Sequence, residues 1–137
     1  MLEVQSVTNA PVIAIVDDDP SVRRALQRLV RSAGYMVQTF ASAHEFLDSL
    51  PGRRAACLVL DIHLDGMSGF DLQEHLAADG VGVPVIFISA HADAPTRERI
   101  ERSGAAGHLR KPVDEQALLG AIRRAIGLDE GSNRKAG

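Results

Sequence analysis

The strongest constraint on the fold of this chain is the alternation of short apolar runs with segments of helical periodicity. Runs rich in Val, Ile and Leu occupy residues 12–17, 56–61 and 83–89, and a weaker run occupies 106–111. Nearly unbroken apolar runs are typical of strands that are buried on both faces of a parallel sheet. Residues 35–40 alternate more in polarity and predict an edge strand.

A helical pattern follows each predicted strand. The first helix is expected to have Asp19 as its N-cap and Pro20 as its first residue, and to stop at Gly34. Capping residues or apolar periodicity mark the starts of the other four helices. These starts are Ser42, Ser68, Ala94 and Asp114. The helix from Ser42 is expected to continue through Leu50.

The helical segment 94–104 differs from the others because Ile100 is its only large apolar residue. Its charged residues at i,i+4 spacing are able to pair on the helix surface. These pairs are Arg97–Glu101 and Glu98–Arg102. We expect this helix to be weakly anchored to the core, and weakly anchored elements are the ones that move.

Five strand–helix repeats predict an α/β fold with helices on both faces of a parallel sheet. Five strands suit the flavodoxin-like, doubly wound arrangement with strand order 2-1-3-4-5 and five helices. A length of 137 residues suits one domain. We expect that domain to span residues 11–128, with an N-terminal extension at 1–10 and a flexible tail at 129–137.

Composition narrows the class of protein. The formal net charge is −3 and the basic pairs are scattered, so no nucleic-acid surface is predicted. The single cysteine, Cys57, allows no disulfide framework and is expected to be a small core residue. No apolar run reaches the ~20 residues of a membrane span, and the N-terminus does not read as a signal peptide. These observations predict a cytoplasmic protein.

Polar residues follow the predicted strands at the edge of the sheet where ligands bind in such folds. They are Asp17, Asp18 and Asp19 after the first strand, Asp61 after the third, Ser89 after the fourth and Lys111 after the fifth. Two carboxylates about 4 Å apart oppose each other by roughly 4 kcal/mol at an effective dielectric near 20, so a cation is expected there. Oxygen ligands without thiolates favour Mg²⁺.

The charges at this edge point to phosphoryl chemistry. The carboxylates of Asp17, Asp18 and Asp61 are balanced by Mg²⁺ and Lys111, so a phosphoryl group can enter a neutralised site. A carboxylate can itself attack phosphorus and form an aspartyl-phosphate. Asp61 is the best candidate for this nucleophile, because it ends a central strand and an open loop follows it.

Four motifs occur in order along the chain: VDDD after the first strand, LVLDIHLDGMSGFDL around the third, VIFISA at the fourth and KPV after the fifth. In this order and at these spacings the chain resembles the receiver domain of two-component response regulators, with the fold of the chemotaxis protein CheY. The stretches MSGFDL and SAHEFL are closest to receivers of the FixJ group.

The resemblance implies a metal site and a phosphoacceptor. Asp61 corresponds to the phosphoacceptor and Asp18 to the main Mg²⁺ ligand, with Asp17 acting directly or through water. The backbone carbonyl of His63 would complete the shell, and Mn²⁺ is an alternative metal. A zinc site formed by His63, His91 and Asp61 is a lesser alternative.

The resemblance also implies a phosphoryl-binding and switching set. Ser89 corresponds to the switch hydroxyl, Lys111 to the lysine that pairs with the phosphoryl group, and His63 and His91 to positions that tune its hydrolysis. His108 stands where the family usually has the aromatic ring that moves on activation, and Asp65 stands where proline is frequent. His63 and His91 can equally be exposed loop residues without a special role.

The implied function is that of a phosphorylation-controlled switch. A histidine kinase or phosphotransfer protein would phosphorylate Asp61, and the face formed by helix 4, strand 5 and helix 5 would change for a downstream protein. The chain would catalyse its own phosphorylation and dephosphorylation without being a conventional enzyme. It would act as a monomer or as a phosphorylation-dependent dimer, and no DNA-binding domain is expected within it.

Four alternatives stay open on the sequence. The chain can be a fragment of a longer transcriptional regulator or hybrid kinase. A Mg²⁺-dependent phosphatase with an aspartyl nucleophile would need an acid at position 63, which is His63. A flavodoxin is the third alternative, but the carboxylates of Asp17, Asp18 and Asp19 after the first strand would repel FMN. A pseudo-receiver, which only makes protein contacts, would not need the complete set of acids, Ser89 and Lys111.

Overall fold

Five parallel strands form the centre of the molecule in a computed structural model that describes residues 10–49 and 54–127. The strands are β1 (Val12–Val16), β2 (Met36–Phe40), β3 (Cys57–Asp61), β4 (Val85–Ser89) and β5 (Gly107–Arg110). Their order in the sheet is β2-β1-β3-β4-β5, so the predicted flavodoxin-like topology is confirmed. The predicted N-terminal extension and C-terminal tail lie almost entirely outside the described residues, and the domain limits stay a prediction.

A helix follows each strand, as predicted. The helices are α1 (Pro20–Ser32), α2 (Ala43–Leu47), α3 (Gly69–Ala78), α4 (Ala94–Arg102) and α5 (Glu115–Ala125). Asp19 caps α1 by accepting from the N–H groups of Ser21 and Val22. At α3, Ser68 and Asp71 form a complete capping box. Short polar side chains satisfy N–H groups that a helix start leaves unpaired, which is why these helices begin where they do.

Helix α2 is shorter than predicted. It ends at Leu47, with Asp48 as its C-cap, whereas the sequence predicted a helix through Leu50, which lies outside the described residues. Its start was predicted correctly, since Ser42 accepts the N–H of Glu45. The Glu45 carboxylate, however, accepts from Ala41 N–H rather than from the N-cap residue, so the reciprocal half of the box is displaced by one residue.

The core has two layers, one on each face of the sheet. Strands β1, β3 and β4 are buried almost throughout, as the unbroken apolar runs predicted. Alternate residues along each strand enter opposite layers, as a strand's period of two requires. Cys57 is one of these core residues, and burial raises the pKa of its thiol to about 12, so it behaves as a small apolar side chain.

Helix α4 is anchored as sparsely as predicted, with Ile100 as its only buried residue. Neither of the i,i+4 ion pairs that the sequence allowed, Arg97–Glu101 and Glu98–Arg102, occurs among the ion pairs of the described residues. Arg97 donates to the Ala92 carbonyl at 2.8 Å, and Arg99 lies 3.2 Å from a Glu74 carboxylate oxygen on α3. Exposed ion pairs contribute ~0–1 kcal/mol, so the Arg99–Glu74 pair adds little to the anchoring of α4 by Ile100.

Candidate functional site

Four polar residues meet at the carboxyl end of the sheet because the parallel strands all end there. Asp17 directly follows β1, Asp61 and Ser89 are the last residues of β3 and β4, and Lys111 directly follows β5. The strand order places β1, β3 and β4 side by side, which brings together residues far apart in sequence. Topology thus brings Asp17, Asp61, Ser89 and Lys111 to one edge of the sheet, whereas Asp19 caps α1.

Asp17 is fully buried, and the chain contacts both its carboxylate and its backbone. Its Oδ1 accepts the N–H of Asp19 at 2.9 Å. Its carbonyl oxygen accepts from a guanidinium nitrogen of Arg23 on α1 at 2.7 Å. Its Oδ2 lies 2.9 Å from Lys111 Nζ, an ionic contact without hydrogen-bond geometry. The β1–α1 turn is therefore held at several points.

Asp61 is nearly as buried as Asp17 and is also held by the chain. Its Oδ1 accepts the backbone N–H of His63 at 3.0 Å, and its Oδ2 accepts from Lys111 Nζ at 3.0 Å. Burial raises the pKa of this carboxyl above its usual value, although the hydrogen bonds from Lys111 and His63 oppose the shift. A buried carboxylate near a second one is the arrangement that a reactive acid requires.

Lys111 is the counter-ion that joins the two buried acids. Burial lowers the pKa of its ammonium, but its contacts with Asp17 and Asp61 outweigh this effect, and the net pKa lies above the usual value. Lys111 therefore stays charged. The peptide bond from Lys111 to Pro112 is cis. One cation between two carboxylates leaves the site with excess negative charge before Asp18 is counted.

The acidic residues fit a divalent cation. Carboxylate oxygens of Asp17, Asp18 and Asp61 lie within 4.8 Å of one another, the only such group of three potential ligands among the described residues. Asp17 Oδ2 is buried and accepts no hydrogen bond, and Asp18 is exposed. An all-oxygen set of this kind suits Mg²⁺. The lesser zinc alternative finds no support, because no histidine of the described residues joins the group.

Ser89 contacts the residue at the predicted ring position. Ser89 is fully buried, and its Oγ lies 3.0 Å from Nε2 of His108 on β5. Burial lowers the pKa of the half-buried His108 ring, and the nearby Arg110 and Arg97 guanidinium groups lower it further. The sequence singled out both residues, but their direct hydrogen bond is a finding of the structure.

The remaining predicted site residues occupy the surrounding loops. His63 and His91 are both exposed, and the N–H of His63 bonds Asp61. The roles of the His63 carbonyl and of both imidazoles stay predictions. Asp65 is also exposed, in a bend of the chain over residues 65–67 where Gly66 has a φ of 80°. A glycine at this φ permits a tight turn without the proline that is frequent in the family.

Two supporting residues were missed by sequence reasoning. Arg23 binds the Asp17 carbonyl, and Gly69, the first residue of α3, packs against the backbone of Asp61. A glycine in the first turn of a capped helix was a usable signal, because Gly is otherwise a poor helix former. No sequence pattern indicated the role of Arg23, because the Arg23–Arg24 pair is typical of a solvent-exposed helix surface.

Removing the Lys111 charge is expected to destabilise the fold in a pH-dependent way. In Lys111→Met, Asp17 and Asp61 stay buried without their counter-ion, which typically costs about 3–5 kcal/mol. The pKa of Asp61 is already raised in the folded state, and losing Lys111 raises it further. A raised folded pKa means that stability is regained as the pH falls through it.

Urea unfolding at about pH 7 and about pH 5 checks this expectation, with Arg110→Met as the control. Arg110 is an exposed cation one residue away. The control should change the free energy of unfolding by less than about 0.5 kcal/mol at either pH. An equal loss for Lys111→Met at both values would contradict the electrostatic account.

The fold and the site together define a class: a doubly wound α/β domain with clustered acids and a lysine at its strand ends. Residues 13–123 match the response regulator receiver domain family. The chain therefore belongs to the response regulator receiver domains, the phosphorylatable modules of two-component systems. Receiver domains generally bind Mg²⁺ at an acidic pocket and interact with histidine kinases or phosphotransfer proteins.

Curated relatives and solved structures agree with this assignment. The chain is 46% identical over 117 residues to the response regulator protein TmoT of Ectopseudomonas mendocina, covering 85% of this chain and 53% of TmoT. It is 36% identical over 115 residues to the transcriptional regulatory protein FixJ of Azorhizobium caulinodans, covering 84% of this chain and 54% of FixJ.

A solved structure of the response regulator StyR superposes with a TM-score of 0.79 at 45% identity, covering 93% of this chain and 64% of that one. The chain thus spans about half the length of the curated relatives it matches. Among the described helices, none combines the length and the apolarity needed to cross a bilayer.

Proposed function

We propose that this chain is a phosphorylation-controlled switch in which Asp61 accepts a phosphoryl group from a histidine kinase or phosphotransfer protein. The observation that carries the proposal is the pair of contacts of Lys111 Nζ, at 2.9 Å from Asp17 Oδ2 and 3.0 Å from Asp61 Oδ2. Two buried acids held on one cation at the sheet edge provide a nucleophile, a metal-binding acid and a positive charge for an incoming anion.

In the proposed transfer, an oxygen of the Asp61 carboxylate attacks the phosphorus of a phosphohistidine. The new bond is P–O, the P–N bond breaks, and its electron pair returns to the imidazole of the donor. Lys111, which already contacts Asp61 Oδ2, is placed to pair with the phosphoryl oxygens as their charge approaches. Positioning and charge neutralisation supply most of the catalysis in phosphoryl transfer generally.

The proposed metal ligands are Asp17, Asp18, Asp61 and the His63 carbonyl. When bound, Mg²⁺ neutralises phosphoryl oxygens and offsets the clustered carboxylates. The chain itself holds Asp17 by the Asp19 N–H and Arg23, and holds Asp61 by the His63 N–H. These contacts fix the directions of the Asp17 and Asp61 carboxylates, and the Asp18 carboxylate lies within 4.8 Å of both.

The same site is proposed to remove the phosphoryl group by hydrolysis. Water would attack the phosphorus, the P–O bond to Asp61 would break with its electron pair returning to the carboxylate, and phosphate would leave, with His63 and His91 at the rim of the site to tune the rate. The chain would then catalyse both its phosphorylation and its dephosphorylation, without the turnover of an external substrate that defines a conventional enzyme.

The proposed output is a change of the face formed by α4, β5 and α5. Ser89 lies on β4 beside β5, and α4 is held by one buried residue, Ile100. A hydroxyl drawn towards a phosphoryl group on Asp61 would move the end of β4, and α4, the next helix along the chain, has only one buried residue to resist the shift.

The proposed partners follow from the family and the relatives. TmoT and FixJ are about twice the length of the matched region, so we propose that this receiver acts as part of a longer regulator, with a stand-alone receiver as the alternative. We place it in the cytoplasm, where the buried free thiol of Cys57 stays reduced, as a monomer or a phosphorylation-dependent dimer.

Incubation with acetyl phosphate and Mg²⁺ tests the proposal. Intact-mass spectrometry should show the addition of one phosphoryl group, and removal of Mg²⁺ with a chelator should suppress it. Tandem mass spectrometry after borohydride reduction should place the modification at Asp61. No labelling, Mg²⁺-independent labelling or labelling at another residue would each overturn the assignment.

A further inference from the structure

The hydrogen bond between Ser89 and His108 has a direction that the surroundings of the two side chains determine. Ser89 Oγ is fully buried, and His108 Nε2 at 3.0 Å is the only partner that the described part of the chain gives its side chain. A buried hydroxyl proton needs an acceptor, because leaving it unsatisfied costs about 1–3 kcal/mol. Nε2 therefore accepts from Ser89, and the neutral ring carries its own proton on Nδ1.

The charges around the ring favour the same arrangement. The charged groups that face His108 are Arg110 on β5 and Arg97 on α4, and Ser89 on β4 is neutral. Two guanidinium groups and burial both disfavour a cationic ring, so the pKa of His108 lies below its usual value. A neutral imidazole with a free lone pair at Nε2 is the form that accepts a proton from Ser89.

We propose that His108 is a positioning residue that turns the Ser89 hydroxyl proton away from the phosphorylation site in the resting protein. This inference rests on the proposed function, in which Ser89 donates to a phosphoryl oxygen on Asp61. A serine hydroxyl has one proton, so it cannot donate to His108 and to the phosphoryl group at once. Phosphorylation therefore ends the donation from the Ser89 hydroxyl to His108 Nε2.

The state of the ring then controls the switch. When His108 is protonated, Nε2–H donates to Ser89 Oγ, and the hydroxyl proton is released for the phosphoryl oxygen. Protonation of His108 and occupancy of the phosphoryl site thus favour each other. Linked equilibria are reciprocal. If protonation of His108 favours the phosphorylated form, a phosphoryl group on Asp61 raises the pKa of His108 by the same coupling free energy.

Nitrogen-15 NMR of the histidine rings tests the resting arrangement in the full chain. His108 Nε2 is expected to show the shift of an unprotonated nitrogen at neutral pH, and Ser89→Ala should remove the preference for this tautomer. A protonated Nε2 in the resting protein would overturn the proposal, whatever happens at Asp61.

Binding of beryllium fluoride with Mg²⁺, a mimic of the phosphoryl group, tests the coupling. The ratio of the wild-type affinity to the His108→Phe affinity should rise about three- to tenfold between about pH 8 and about pH 5, the size of one hydrogen bond's contribution. The ratio is used because protonation of Asp61 affects both proteins alike. His108→Gln keeps a polar partner for Ser89 but does not titrate, so its profile should follow His108→Phe. His75→Gln, an exposed histidine on α3, is the matched control and should follow wild type.

Coincident profiles for wild type and His108→Phe would overturn the coupling while leaving the proposed function intact. Failure of every variant to bind beryllium fluoride and to react with acetyl phosphate would instead count against the proposed function. The tautomer of His108 would still decide whether the resting hydrogen bond has the proposed direction.

Discussion

Asp61→Asn is expected to abolish phosphorylation by acetyl phosphate without loss of the fold. The amide has no anionic oxygen to attack phosphorus. Among the described residues, the other carboxylate in contact with Lys111 is that of Asp17, which is fully buried. Wild type and variant are incubated with the same concentrations of Mg²⁺ and acetyl phosphate. Labelling of the variant, measured by intact mass, should fall to background.

The fold should survive because the ionised form of Asp61 is the one that the buried site disfavours. Burial raises the folded-state pKa of Asp61, so its ionisation removes stability as the pH rises through that value. An asparagine cannot ionise, and Lys111 keeps its contact with Asp17. Urea unfolding at about pH 7 should give a free energy equal to or above that of wild type.

Asp65→Asn is the matched control for this variant. Asp65 is an exposed carboxylate four residues beyond Asp61, on the loop that follows β3. It should label as wild type does. Persistent labelling of Asp61→Asn, or its loss in Asp65→Asn, would show that the phosphoacceptor lies elsewhere.

Gly69→Ala is expected to displace the backbone of the phosphoacceptor Asp61. An added Cβ at Gly69 would lie 2.5 Å from the Asp61 carbonyl oxygen and 3.0 Å from the Ile62 Cα, both rigid backbone atoms. The N–H of Gly69 also donates to the Ile62 carbonyl at 2.9 Å, so α3 cannot retreat freely. Overpacking of this kind costs about 1–3 kcal/mol.

The displaced backbone carries the Asp61 side chain with it. The rate of labelling should therefore fall along with the free energy of unfolding, because a misplaced nucleophile loses the alignment that transfer requires. Stopped labelling reactions and urea unfolding on the same preparation measure the two effects together.

Gly82→Ala provides the matched glycine control. Gly82 has no positive φ, and a Cβ there would meet nothing within 4 Å. Its free energy of unfolding should be unchanged or rise by up to about 1 kcal/mol, because alanine restricts the unfolded chain. Equal stabilities and equal labelling rates for Gly69→Ala and Gly82→Ala would contradict the close contact.

The fold and most of the strand-end residues were predictable because they depend on pattern and topology. Unbroken apolar runs identified buried parallel strands, and strand order then brought Asp17, Asp61 and Lys111 to one edge. Helix starts at Asp19 and Ser68 followed from local chemistry. Each of these inferences uses rules about residues close in sequence. The parallel sheet then brings the ends of its strands together, although they are far apart in sequence.

The rest depended on distances that no pattern encodes. The bond from Ser89 to His108 joins side chains 19 residues apart, and Arg23 reaches a carbonyl rather than a carboxylate. The end of α2 at Leu47 and the replaced ion pairs of α4 depend on competing contacts at the surface. The alternative helix ends and side-chain contacts differ by small free energies, so tertiary packing determines which of them forms.

The contacts of Asp17 determine when the β1–α1 turn loses its conformational freedom. Arg23, the Asp19 N–H, Lys111 and the Phe40 carbonyl hold that residue through contacts that the fold itself supplies. The entropy of ordering the turn is thus lost during folding and not again when a cation binds. Ligand affinity at this edge should consequently reflect desolvation and charge more than loop ordering, as in other preorganised sites.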